Sequence, residues 1–427
     1  MLTHLILGAG PAGVIAAETI RKHAPRDRIL LIGDEVEPPY SRMAIPYLLV
    51  GRVGEPGTHL RHGADHYERL RIDLKRGVRA KAVDSKARRV FFDDGTDVEY
   101  DRLLIATGSS PVQPPVPGID SPGVHTCWTL ADARAIAERA QPGARVVQVG
   151  AGFIGCIIME ALALRGVKLS VVETGDRMVP RMMGPTAGGM IRQWVQSKGV
   201  DVHTGARVQE IQRAGSELRV KLSNGEVLPA DLVISATGVR PNIGFLWGSG
   251  IRCLQGVLTD EHMQTSVPGV YSAGDCAEAF DRVSGRTIVS AIQPNAAEQA
   301  RVAALNMVGQ KAYLNGVTQI NVLDTLGLIS TSFGNWQGVP GGESAELVDM
   351  ESGKALSLQF DGDLLVGCNS VGWTQHVGAM RGLVEGQVRL TPEWKEKLKA
   401  DPTQLVPAYL ACAQAQEQRG LVSAQAH

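Results

Sequence analysis

Leu5-Ile6-Leu7-Gly8-Ala9-Gly10-Pro11-Ala12-Gly13 decides the fold. Three apolar residues run straight into glycines spaced two and three apart, which reads as a strand, a tight turn and a helix start. A helical stretch follows from Val14 to about Lys22, and a second apolar strand covers Ile29 to Ile32. Asp34 and Glu35 come next, about 20 residues past the last glycine, where a dinucleotide-binding fingerprint carries its acid. In such a unit the glycines let backbone approach a pyrophosphate. The helix N-terminus supplies oriented N–H groups and a positive dipole end, and the carboxylate accepts hydrogen bonds from a ribose. Gly8, Gly10, Gly13, Asp34 and Glu35 are therefore candidate binding residues.

The pattern occurs twice. Gly150-Ala151-Gly152-Phe153-Ile154-Gly155 follows the strand Arg145 to Val149, opens a helix to about Arg165, and leads to the strand Lys168 to Val172 and then Glu173. One glycine motif alone is weak evidence, because glycine turns are common. Two copies, each with strand, helix, strand and acid in order, are specific. A carboxylate at Glu173 favours free ribose hydroxyls and repels a 2′-phosphate, so NADH is expected before NADPH. Arg177 and Arg181 close behind it pull the other way and keep NADPH open. The fold class that follows is α/β, with two Rossmann-like dinucleotide-binding domains and a C-terminal α+β domain.

Composition sets the outer limits. A chain of 427 residues suggests two to four domains, and 44% hydrophobic with 20% charged residues is the balance of a globular protein. A net charge of -1 gives no reason to expect nucleic acid or an anionic membrane as the main partner. No apolar run is long enough to span a bilayer. With a strand beginning at Leu5 there is no room for a leader peptide, so a cytoplasmic protein is expected. The six cysteines, Cys127, Cys156, Cys253, Cys276, Cys368 and Cys412, include no pair three apart. That spacing excludes a C-x-x-C redox pair, a zinc knuckle and a haem attachment site, and no metal site is expected.

Further stretches carry a family likeness. Leu103-Leu104-Ile105-Ala106-Thr107-Gly108, Leu232 to Gly238 with Arg240-Pro241-Asn242, Thr265 to Asp275 (TSVPGVYSAGD) and Gln293-Pro294-Asn295-Ala296-Ala297 all stand in order. With the two glycine motifs they resemble the flavoprotein pyridine nucleotide–disulfide reductase superfamily over nearly the whole chain. The resemblance implies FAD on the first motif, with Thr107, Gly108 and Gly274 close by and Asp275 on the ribityl chain. It implies that the helix opened by Pro294 and Asn295 points at the flavin, and that NAD lies on Gly150, Gly152, Ile154, Gly155, Glu173 and Gly238. The plain alternatives are that Asp275 caps a loop and that Pro294 and Asn295 merely start a helix. The implied domains are 1–112 with 247–312 for FAD, 113–246 for NAD(P), and 313–427 as an interface domain, which in this superfamily often forms a homodimer contact. Strand-like stretches Leu356 to Phe360 and Leu364 to Cys368 and a helix after Gly378 fall in the third part. The polar residues Gln414 to His427 are expected to fray.

Two departures narrow the function. Pro39-Tyr40-Ser41-Arg42-Met43-Ala44-Ile45-Pro46-Tyr47 occupies the place where disulfide-reducing members keep a reactive cysteine. Met43 stands there instead, and a thioether cannot act as a thiolate. Ferredoxin- and rubredoxin-reductase-like members pair a Lys with a Glu near the flavin. Tyr47 and Ile157 replace both partners, with Glu160 one turn on. The likeness is nearest to the flavoprotein portion of NADH-dependent nitrite reductases. Arg42, Trp373 and His376 are the remaining candidates near the flavin, each with a structural alternative. The implied activity is hydride transfer from NADH to FAD, with electrons passed to a redox partner protein. The alternatives are an NADH oxidase, a quinone or small-molecule reductase, a flavoprotein subunit of a substrate dehydrogenase, and a protein like apoptosis-inducing factor that binds NADH for signalling.

Overall fold

The computed structural model describes residues 1–63 and 65–424. The chain divides into two compact units. The first comprises Met1–Val112, Trp128–Ala133 and Val239–Val317, and the second comprises Gln113–Cys127, Arg134–Gly238 and Thr318–His427. The short excursion Trp128–Ala133 and the stretch from Val239 group with the first unit, and the residues from Thr318 group with the second glycine motif. The motif order alone does not convey this arrangement.

The first unit is built on a five-stranded parallel sheet in the order Val270–Ser272, Arg102–Ile105, Thr3–Leu7, Arg28–Ile32, Ile72–Lys75. Leu5, Ile6, Leu7, Ile29 to Ile32 and Leu103 to Ile105 are all buried. Parallel strands covered on both faces carry unbroken apolar runs, and the sequence shows this run pattern here. Helices Pro11–His23 and Gln293–Met307 pack together on this sheet through Ala12, Ala16, Ala296, Ala300 and Ala303, small residues that let the two backbones come close. Between its third and fourth strands in sequence the chain makes an antiparallel sheet of Ala80–Asp84, Arg89–Phe92 and Asp97–Glu99.

The second unit repeats this plan. Its parallel sheet runs Asp201–Thr204, Lys168–Glu173, Arg145–Val149, Leu232–Ser235, Val124–Thr126. Its antiparallel insert is Val208–Ala214, Glu217–Leu222 and Val227–Ala230. Only the fifth strand is supplied differently: in the first unit it comes from far downstream, and in the second it comes from just upstream. The same unit holds a five-stranded antiparallel sheet in the order Ile320–Thr325, Leu328–Gly334, Leu364–Val371, Lys354–Asp361, Glu343–Asp349. Helix Val377–Glu385 follows it, and the final helix runs Leu405–Ala424. The expected fraying of the last residues falls, for 425–427, outside the described residues. Among the described residues no helix is long and apolar enough to cross a membrane, and no group of three or more His, Cys, Asp or Glu could hold a metal ion.

Candidate functional site

The three glycines of the first turn do three different things. Gly8 has φ +108°, and a Cβ there would lie 2.0 Å from the Ala106 carbonyl oxygen. Gly13 faces the turn itself, where a Cβ would lie 1.9 Å from the Gly8 carbonyl oxygen. Both are glycine because protein backbone fills the space. Gly10 differs. Its φ of -79° suits any residue, and a Cβ added to it would meet no atom within 4 Å. Gly10 also caps helix Pro11–His23 without any side-chain hydrogen bond to the first helical N–H groups. Open space in front of uncapped helix-terminal donors is a cradle for an anion, and a dinucleotide pyrophosphate fits it.

The second turn repeats the three roles. Gly150 has φ +103° with the Ala236 carbonyl oxygen 2.4 Å from an ideal Cβ, and Gly155 has the Gly150 carbonyl oxygen 2.5 Å from its own. Gly152, at φ -75°, caps helix Phe153–Leu164 with no side-chain cap, and a Cβ there again meets nothing within 4 Å. Ile154 lies in the first turn of that helix.

The two acids are held differently. In the first unit Asp34 turns to the surface and pairs with Arg79 at 2.9 Å. Glu35 instead accepts from Arg42 at 2.7 Å and from the Tyr40 hydroxyl at 2.6 Å. Burial raises the Tyr40 pKa, so the phenol stays a donor. Arg42 also donates to the Trp128 carbonyl at 2.7 Å, and its guanidinium lies 5.2 Å from the Trp128 ring centroid. The Trp128 indole N–H donates to the Ser109 carbonyl at 3.0 Å, and the Ser109 hydroxyl donates to Asp275 Oδ2 at 2.8 Å. Glu35, Tyr40, Arg42, Trp128, Ser109 and Asp275 thus form one continuous polar chain. Burial raises the Asp275 carboxyl above its usual range, against the opposing pull of the Ser109 bond and the Arg42 charge.

Other candidates of the first unit gather around this chain. Thr107 Oγ1 donates to the Asn242 carbonyl at 2.8 Å, and the Asn242 backbone N–H donates to the Gly108 carbonyl at 2.9 Å. Gly274 is wedged between Ala12 and Ala296, with its N–H given to Gln299 Oε1 at 2.8 Å. Pro294 opens helix Gln293–Met307, whose N-cap Ile292 offers no side-chain bond. The Asn295 side chain donates to Ser290 Oγ at 2.6 Å.

In the second unit Glu173 is only 8% exposed. Its carboxylate accepts from the Ala151 N–H at 2.8 Å, the Gly175 N–H at 2.7 Å and the Thr174 hydroxyl at 3.2 Å. A carboxylate has roughly four acceptor positions, so one remains for a ribose hydroxyl. Arg177 is spent elsewhere, on Asp176 at 2.7 Å and on the Met183 carbonyl at 2.9 Å. The Arg181 guanidinium lies 4.0 Å from an ideal Cβ on Gly238. Trp373 and His376 sit together in this unit, their ring centroids 5.8 Å apart. Among the described residues neither Trp373 Nε1 nor His376 Nδ1 has a hydrogen-bond partner.

No disulfide joins any two of the six cysteines. Burial pushes the Cys156 thiol up to about 12 and raises Cys253, Cys276 and Cys368 as well. Met43, in the place of a reactive cysteine, is 52% exposed.

Sequence reading missed Trp128 and Ser109, which join Arg42 to Asp275, and Gln148, which lies under the second turn. Only the third had a signal, a lone amide among the valines of the strand Arg145–Val149.

Similarity to known proteins agrees with the paired turns. The model of the pyridine nucleotide-disulphide oxidoreductase family matches residues 2–304. The epsilon subunit of NADH-dependent phenylglyoxylate dehydrogenase from Aromatoleum evansii is 31% identical over 392 residues, which is 91% of this chain and 93% of that one. The ferredoxin–NAD(+) reductase component of the biphenyl dioxygenase system from Paraburkholderia xenovorans is 33% identical over 309 residues, 72% of this chain and 75% of that one. The solved covalent complex of putidaredoxin reductase with putidaredoxin superposes with a TM-score of 0.87 at 25% identity, over 96% of this chain and 99% of that one. Two dinucleotide turns with open central glycines, carried by a chain of this ancestry, make it a member of the pyridine nucleotide-disulphide oxidoreductase family and an FAD-dependent NAD(P)H oxidoreductase.

Proposed function

We propose that FAD occupies the first turn, NADH the second, and that the electrons leave to an acceptor protein. The observation that carries this reading is the pair Gly10 and Gly152, the one glycine in each turn that neither backbone conformation nor neighbouring protein atoms require, each at an uncapped helix N-terminus. Bound FAD supplies the redox chemistry itself, taking hydride from the nicotinamide and giving up electrons one by one.

The chain's own residues bind and orient. The uncapped N–H groups behind Gly10 receive the FAD pyrophosphate, and Glu35, fixed by Tyr40 and Arg42, faces a ribose. Asp275, held by Ser109, accepts from the ribityl hydroxyls, and the N-terminus of helix Gln293–Met307 sets a positive dipole end toward the flavin. Gly238, after the fourth sheet strand, borders the nicotinamide nucleotide. Glu173 accepts from the adenosine ribose, and a carboxylate so buried opposes a 2′-phosphate. With Met43 in the place of a reactive cysteine, oxidation and reduction end on a partner rather than on a disulfide. The likeness to a biphenyl dioxygenase ferredoxin reductase and to a reductase solved with putidaredoxin supports a small iron–sulfur or haem protein as that partner.

The likeness to a phenylglyoxylate dehydrogenase subunit along 91% of this chain supports a second reading. In it the chain is one subunit of a larger dehydrogenase, and electrons drawn from an organic substrate leave through it to NAD+. A homodimer would use the antiparallel sheet, a reading supported by the exposure of Val322 and Val348 on its two edge strands. Six cysteines with no disulfide among them suit a reducing compartment such as the cytoplasm.

Anaerobic titration of the purified protein with NADH, followed by mixing with ferredoxins, quinone, ferricyanide and air, tests these readings. Flavin bleaching by NADH and fastest reoxidation by a protein supports the first. A flavin that NADH fails to bleach sinks it.

A further inference from the structure

The peptide that joins Gly150 to Ala151 is gripped at both ends by buried side chains. Gln148 Nε2 donates to its carbonyl at 2.9 Å, and its N–H donates to Glu173 Oε2 at 2.8 Å. Gln148 Nε2 also reaches the Gly155 carbonyl at 2.9 Å, so one amide ties the turn to the helix that follows it. Gln148 is 0% exposed. Its Oε1 has no hydrogen-bond partner among the described residues. An amide in a sheet interior with an unmet acceptor opposes folding, and such a residue calls for a reason.

The first turn shows what the fold does without it. Strand register pairs Leu7 with Ile32 and Val149 with Val172, so the positions that match Gln148 and Glu173 are Ile6 and Gly33. Neither has a polar side chain. The first turn closes more tightly, with 1.9 Å between an ideal Gly13 Cβ and the Gly8 carbonyl oxygen against 2.5 Å for Gly155 and Gly150. In the second turn Gln148 Nε2 lies 3.0 Å from that ideal Gly155 Cβ and fills the slack.

We propose that Gln148 is a positioning residue for the pyridine nucleotide. With Glu173 it fixes the plane of the Gly150–Ala151 peptide, so that the second turn is formed before the nucleotide arrives. A resident FAD organises its turn once. A coenzyme that enters and leaves in every cycle would bear the ordering cost each time, and a preformed turn removes that cost. The inference rests on the second turn being the NADH site.

The test uses FAD-loaded protein with Gln148→Leu, and with Gln148→Met should the branched side chain prevent folding. The NADH dissociation constant, measured by anaerobic titration, rises about tenfold, a factor worth about 1.4 kcal/mol. The loss falls on KM rather than kcat, and the FAD content stays at one per chain. Hydrogen–deuterium exchange without nucleotide speeds up in peptides covering 148–156 and is unchanged in those covering 6–14. NADH binding within twofold of the parent overturns the proposal, whether or not exchange changes. A parent protein that binds no NADH overturns the site assignment, and the positioning role falls with it.

Discussion

The first glycine turn closes by backbone alone, while the second is held by Gln148 and Glu173. Their immediate frames agree in three respects. Each opens from the third strand of a parallel five-stranded sheet. Each backs its first glycine onto the carbonyl of an alanine in an Ala-Thr-Gly segment, Ala106 in one and Ala236 in the other. Each leaves its middle glycine facing open space. What differs is the acid. Glu173 ends its strand and turns back onto the turn, whereas Gly33 fills that register position in the first unit and Glu35 comes two residues later. Set free from the turn, Glu35 can join Tyr40, Arg42 and Trp128 in the chain that ends at Asp275. One turn has thus been elaborated outward, into a network of polar side chains. The other has been elaborated inward, onto its own peptide.

The largest expected effect erases the comparison by destroying either frame. Gly13→Ala places a methyl 1.9 Å from a backbone carbonyl oxygen, and Gly8→Ala adds a strained positive φ to a contact of 2.0 Å. Overpacking against backbone costs roughly 1–3 kcal/mol or more. Both variants, and Gly150→Ala with its 2.4 Å contact, should be largely insoluble or melt well below the parent in a thermal denaturation scan. A soluble Gly13→Ala protein with full flavin would refute the packing assigned to the first turn.

The middle glycines separate the two turns. Gly10→Val and Gly152→Val both place their Cβ where no protein atom lies within 4 Å, so both should fold. Gly10→Val should emerge colourless. Gly152→Val should be yellow and fully loaded, yet bind NADH at least about a hundredfold more weakly, a loss of about 2.7 kcal/mol. Absorbance at the flavin band and anaerobic NADH titration distinguish them. Flavin retained by the first or NADH affinity retained by the second would break the assignment of that turn.

Glu173→Ala is expected to have a smaller effect. It removes the acceptor for a ribose hydroxyl and for the Ala151 N–H together, so NADH should weaken by roughly tenfold, the size of one charge-assisted hydrogen bond. NADPH should weaken less, because the same change removes a repelling charge. Equal losses for both coenzymes would take Glu173 out of the ribose site.

How much of this was legible in the sequence depends on what forces each residue. Gly8, Gly13, Gly150 and Gly155 stand out because backbone contacts under 3 Å admit nothing larger. The strands stand out because burial on both faces demands unbroken apolar runs such as Leu103 to Ile105. The acids were only half legible. A spacing of about 20 residues finds Glu35 and Glu173 alike and hides that they lie two positions apart in register. Trp128 could not be found at all. It acts through its carbonyl and its indole N–H on residues 86 and 19 positions away, and no local pattern marks such a residue. Gln148 was visible only as an oddity, since its purpose depends on where the Gly150 carbonyl points.

The smallest effect concerns the end of the outward network, where the two units should respond with opposite sign. Burial is the main cause of the raised Asp275 carboxyl. Between its ordinary and its raised range, the folded chain holds a proton that the unfolded chain has released, so stability falls as pH rises through that window. Above the ordinary carboxylate range this group therefore opposes folding. Asp275→Asn removes the charge and keeps a polar partner for Ser109, so the protein freed of flavin should melt higher at pH 7 than the parent. That gain should vanish at a pH below the ordinary carboxylate range, where both states are protonated. The same variant should release flavin more readily, because an acceptor for the ribityl hydroxyls is lost. Glu173→Gln should do the reverse to stability, since the Ala151 and Gly175 N–H groups both rely on its carboxylate and an amide can accept from only one of them. A carboxylate that weakens the empty fold is retained for what it binds, and one that strengthens it serves the turn as well. Melting curves of the two variants at pH 7 and at low pH decide whether that division holds.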